Sequence, residues 1–325
     1  ITHADYKKFW DLVQQRINYT NYEAANAVGL VPEILDKRLI IGQNKKDIEA
    51  VSKVIFDGTM NDIVYGDTEL TRKGLTDKQI DLYRRVRQAI DESVEKMAID
   101  VLANSAKGTG LISLDEILRI KEAVMSNGGN IGMFNKAMQQ AVNNKIQAML
   151  QAGVIDATKA GKLTTMFNEV AKQMDDVENR VYDLQDKGYA PLMRFGSYAV
   201  AVNDSKGDLV LYELYETKRE QQKALHDLKK NPDYAGMTFN QNVLNPGDYQ
   251  QFTNKGLNPE TVMLFANELG LSNDEAYQAY LKVAIAQQSA LKRLIHRKKV
   301  AGFSEDLPRV LSAFVMSNAR HSSRM

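Results

Sequence analysis

The chain has 325 residues, 44% of them apolar and 26% charged, with a formal net charge of +1. That balance excludes wholesale disorder and gives the chain as a whole no electrostatic pull toward nucleic acid. The absence of cysteine excludes disulfide partners, thiolate metal sites and cysteine nucleophiles, and no apolar run approaches the roughly 18 residues needed to span a bilayer.

Residues 2–17 read as a helix, with Tyr6, Phe9, Trp10, Val13 and Ile17 at helical spacing and Thr2 as its cap. Trp10, the only tryptophan, reads as a core anchor. Residues 22–28 and 32–39 read as short helices, the second opened by Pro32, whose missing N–H costs nothing in a first turn. Residues 44–65 carry Ile48, Val51, Ile55 and Val64 on a helical period, with Gly58 as a weak point, and residues 66–74 read as a polar connector. The chain opens at Ile1, so a piece of something longer is expected.

Thr76 and Gln79 form a capping box that opens a long helix to about residue 106. Its stripe of Ile80, Tyr83, Arg87, Ile90, Val94, Met97 and Val101 favours an antiparallel helix pair over an extended coiled coil. Ser113 and Glu116 form a second box, and Asn127-Gly128-Gly129 stops that helix. Further helices are expected over 133–151 and 156–187, the latter with Leu163, Phe167, Val170, Met174, Val177 and Val181 inward. Met133, Met138, Met149, Met166 and Met174 read as core filler.

The clear β-signal follows. Tyr198, Val200 and Val202 alternate with Ala199 and Ala201, and residues 209–215 form a second strand. The polar, glycine-containing loop between them has hairpin chemistry. Thr217 and Glu220 make a third capping box, opening a helix with Ala224, Leu225 and Leu228 inward. Residues 237–243 offer a third strand, which a hairpin otherwise marginal in water needs. Helices over 260–269, 273–299 and 309–321 complete the chain, with a loop at 303–308. The expected fold is mainly α: a multi-helix assembly with one β-hairpin or small three-stranded antiparallel sheet.

The sequence contains no GxSxG, HExxH or GxxxxGK[ST] pattern, and its four histidines, His3, His226, His296 and His321, form no metal-ligand array. No cofactor and no metal is expected. Arg194, beside Gly196 at the head of the first strand, is the best candidate for a buried working charge. Two roles stand open for it: a structural arginine tying the hairpin to helix C-terminal carbonyls, or a ligand-binding arginine. The C-terminal basic residues Lys292, Arg293, Arg297, Lys298, Lys299, Arg309 and Arg320 read either as a solvated helix end or as contacts to nucleic-acid phosphates or an acidic partner.

The run Pro191-Leu192-Met193-Arg194-Phe195-Gly196 resembles the motif that names the PLxRFG domain family. The later stretch from Ser289 to Asp306, continued by Arg309-Val310-Leu311 and Ser317-Asn318-Ala319-Arg320, is similar to the segment that closes that domain. Leu75 to Asp91 resembles its lead-in. The resemblance divides the chain into an N-terminal helical segment, 1–70, and a PLxRFG-like helical domain, 71–325, with the hairpin at 194–216. The family occurs inside very large polyvalent proteins of bacteriophages and mobile elements, many resembling internal virion proteins that enter the host with the DNA. It implies a module with a structural, assembly or DNA-ejection role and no catalysis of its own, located in the virion interior and delivered into the bacterial host. The implied partners are other modules of the same polypeptide, other phage virion proteins and a second copy of the chain, with phage DNA as the alternative. The resemblance brings no active-site residues with it.

Overall fold

The computed structural model describes residues 44–243 and 301–322. The helices expected over 2–17, 22–28, 32–39, 260–269 and 273–299 lie outside the described residues, as does Trp10. The described part is mainly helical with one small three-stranded antiparallel sheet. In chain order it comprises α1 (Lys45–Asn61), α2 (Asp67–Arg72), α3 (Asp77–Gly108), α4 (Leu114–Met125), α5 (Ile131–Gln151), α6 (Ala157–Asp186), β1 (Tyr198–Asn203), β2 (Leu209–Tyr215), α7 (Lys218–Lys230), a 3₁₀ turn (Pro232–Tyr234), β3 (Thr238–Val243) and α8 (Leu307–Ser322).

All three capping boxes form. Thr76, Ser113 and Thr217 accept from the N–H groups of Gln79, Glu116 and Glu220, whose side chains bond back to the caps. The apolar stripe of α3 is buried, and so is that of α6. The expected helix pair is a larger bundle: α3 packs against α1, α5, α6 and α8. Val51, Ile55 and Phe56 of α1 and Leu307, Val310, Leu311 and Phe314 of α8 belong to one continuous apolar cluster with α3, α5 and α6.

The structure corrects four details. The connector over 66–74 contains α2, whose one buried residue, Leu70, anchors an otherwise polar turn of helix. α1 runs unbroken through Gly58 and ends at Asn61, with Asp62 in the left-handed region, so Val64 lies beyond it and is exposed. Met133 is exposed because Asn130, capping α5, starts that helix with Met133 turned outward, while Met138 and Met174 fill the core. α8 begins two residues earlier than expected, with Leu307 buried.

The strands order β2-β1-β3. α7 covers this sheet, and its buried Gln221 donates through Nε2 to the carbonyls of Ala199, at 2.7 Å, and Asn242, at 3.1 Å. Ala224, Leu225 and Leu228 are half-buried rather than fully inward. The buried residues of the sheet, Ala199, Val200, Val202 and Leu211, lie outside the continuous cluster of the bundle. The segments flanking the sheet therefore decide how it is held.

Candidate functional site

Those flanking segments are 191–196, the first motif, and 301–306, the described end of the later stretch singled out in the sequence. Pro191 is buried, and Leu192, Met193, Phe195 and Phe303 pack against the helical core. Phe303 sits 5.5 Å, centroid to centroid, from Phe56 of α1. The apolar letters of the first motif thus face the bundle, while Arg194 and Gly196 face β2. Gly196 has φ +113°, and a Cβ there would collide with the carbonyl of Tyr215.

The later segment runs along the outer edge of β2. Ala301 forms a parallel bridge with Leu211. Tyr212 N–H donates to the Ala301 carbonyl at 3.0 Å, and Ala301 N–H donates to the Val210 carbonyl at 3.3 Å. Gly302, at φ +97°, lies so near the Tyr212 carbonyl that no Cβ fits. Ser304 N–H then donates to the Met193 carbonyl at 2.7 Å, which joins the two motifs directly. The Ser52 hydroxyl donates to the Glu305 carbonyl, fixing the same segment to α1.

Arg194 sits at the centre of this junction. Its Nε donates to the Tyr212 carbonyl at 2.6 Å and its Nη2 to the Ala301 carbonyl at 3.1 Å. The planar fork matches two carbonyls held side by side by the Tyr212–Ala301 bond. Arg194 is half-buried, not fully buried as expected of a working charge. Through these two bonds it ties β2 to Ala301, while the end of the helix expected over 273–299 lies outside the described residues. The reason is topological: β2 is an edge strand, and its outward carbonyls need partners.

A shallow cleft of ≈ 200 Å³ opens over the junction, lined by Arg194, Phe195, Glu213, Leu214, Tyr215, Gly302, Phe303, Ser304 and Arg309. Arg309 pairs with Glu216 and lies 4.1 Å from the centroid of the Phe195 ring. The Tyr215 hydroxyl donates to the Glu213 carboxylate. Burial raises the Tyr215 phenol well above the usual tyrosine range, and the Glu213 carboxylate pushes it the same way. The polar groups of the cleft are engaged with one another or with backbone, and its lining includes no histidine. Among the described residues no group of three or more His, Asp or Glu side chains is placed to hold a metal ion.

Of the basic residues singled out in the sequence, Arg309 lies in this junction. Lys292, Arg293, Arg297, Lys298 and Lys299 lie outside the described residues, as does the side chain of Arg320. Two of the buried polar groups, Gln221 and Arg87, position the sheet and the chain that leads to it, and the sequence places only Arg87 on a buried face. Gln221 carries no signal, being a polar residue in a polar first turn. Arg87 carries one, since it occupies a position in the apolar stripe of α3. It is only 6% exposed, pairs with Asp91 at 2.9 Å and donates to the Tyr189 carbonyl, fixing the chain that leads into the first motif. Burial raises the Asp91 carboxyl, against the opposing pull of Arg87.

No protein-family model, curated protein or solved structure matches this chain.

Proposed function

We propose that the chain is a structural module of a large bacteriophage internal or ejected virion protein, working through assembly contacts and carrying no catalysis of its own. In this reading it resides in the virion interior, beside other modules of its polypeptide and other virion proteins, and passes into the bacterial host. The observation that carries it is the meeting of the two PLxRFG-like segments. Separated by 107 residues at Arg194 and Ala301, they close on each other and on β2. The motif's polar groups hold backbone carbonyls, which supports an architectural role for it. Arg309 is committed to Glu216 and Phe195 and lends no support to phosphate contact.

The test is mass spectrometry of purified particles of the element that encodes the chain. Peptides from the chain are expected in intact virions and protected from external protease. Recovery from infected-cell lysate but never from particles contradicts the proposal.

A further inference from the structure

The two edges of the sheet are treated differently. β2 is covered by Ala301. β3, Thr-Phe-Asn-Gln-Asn-Val, is exposed along nearly its whole length, and Val243 is 48% exposed. The direction of its backbone groups follows from the ladder. Tyr212 turns its N–H and C=O outward, to Ala301 and Arg194, so its partner Ala201 turns its own pair toward β3. Ala201 and Ala199 therefore face Asn240 and Asn242 across β1–β3. Phe239, Gln241 and Val243 consequently point their N–H and C=O groups away from the sheet. The Val243 N–H is taken by the Asn242 side chain at 2.8 Å. Among the described residues nothing pairs with the outward groups of Phe239 and Gln241.

Natural sheets guard such an edge with lysine, proline, a bulge or a cover. β3 contains no charged residue and no proline, and its register with β1 is continuous. It is also self-complementary. A two-fold axis through Gln241 sets Gln241 opposite Gln241 of the second copy, Phe239 opposite Val243, and Asn240 opposite Asn242. That register pairs every outward N–H and C=O, places an aromatic ring against a β-branched side chain and brings no like charges together. It requires only that Asn242 release the Val243 N–H. We propose that β3 is a self-association edge, joining two copies of this chain antiparallel into one six-stranded sheet with an isologous two-fold interface.

Sedimentation of the full chain over a wide concentration range tests this, with wild type expected to dimerise reversibly. Gln241→Pro removes an outward N–H while leaving the β1–β3 ladder intact, a position where an edge strand accepts proline. Gln241→Lys keeps the strand and sets two like charges opposite each other. Each should weaken association by about tenfold or more, with an unchanged far-ultraviolet spectrum. The register has its own readout, because the chain has no native cysteine. Gln241→Cys should form an intermolecular disulfide under mild oxidation, since directly opposed residues stand at bridging distance, whereas Asn240→Cys, displaced from its own copy, should not. A wild type that stays monomeric, or folded Gln241 variants that dimerise as wild type does, overturns the proposal. In the monomeric case a strand from another protein remains as the occupant.

Discussion

Arg194 reaches the Ala301 carbonyl with Nη2 at 3.1 Å while its Nε holds the Tyr212 carbonyl at 2.6 Å. One side chain thereby links the first motif, the middle of β2 and the closing segment. Removing it takes the charged donor from the half-buried Tyr212 carbonyl and from the exposed Ala301 carbonyl. Arg194→Ala is expected to destabilise the fold by about 2–4 kcal/mol. Arg194→Lys should recover little, because a single ammonium cannot fork across two carbonyls. Chemical denaturation of the two variants checks this, and an unchanged midpoint for Arg194→Ala rejects the structural role.

Gly196 and Gly302 are the two places where flanking chain presses against β2. Both have φ values that side chains avoid, and at both a Cβ would meet strand backbone. Neither strand carbonyl can move without breaking the junction. Gly196→Ala and Gly302→Ala are each expected to cost more than the roughly 1–2 kcal/mol of the left-handed conformation alone. Thermal unfolding of the variants measures it. A cost near zero at both sites means that the close approach does not exist.

Much of the fold is legible in the sequence because helices and hairpins are local. Thr76 with Gln79, Ser113 with Glu116, and Thr217 with Glu220 announce their helices three residues ahead. The stripe from Ile80 to Val101 states which face is buried. β1 and β2 show themselves by alternation. α2 escapes notice because a six-residue turn with one buried leucine has no period to detect. The junction escapes for a different reason. Nothing in the local chemistry of Ala301 or Gly302 says that they border Tyr212, since edge pairing uses backbone groups that every residue carries. Arg194 is legible as unusual, but which carbonyls it serves depends on a chain closure that no spacing encodes.

Tyr215 gives the junction an alkaline limit. Burial and the Glu213 carboxylate hold its phenol protonated in the folded state beyond the usual tyrosine range. Its pKa is thus higher folded than unfolded, where it is about 10. Its contribution to stability is complete below that pH and is lost as pH rises through the folded value. Wild type should lose stability above about pH 10 more steeply than Tyr215→Phe. Denaturant midpoints at rising pH measure the difference. Absorbance titration should also show one fewer late-ionising phenol in the variant. Parallel curves for the two proteins contradict this account.

Arg309 sits at the rim, where its pair with Glu216 is solvated on both sides. Arg309→Ala should therefore cost about 1 kcal/mol or less from the ion pair, plus the stacking lost from Phe195. High salt should remove the first part and spare the second. Unfolding of wild type and variant at low and high ionic strength separates them, and a difference that vanishes entirely in salt leaves no role for the ring.

Native-state hydrogen exchange of wild type and Arg194→Ala tests the joining of the two motifs most directly. If the motifs form one clasp, the amides of Ser197, Tyr212, Ala301 and Ser304 lose protection together in the variant. Those of the bundle interior, such as Phe134 and Phe167, keep theirs. Ser304 and Tyr212 amides that exchange independently of each other, or that ignore the loss of Arg194, contradict it.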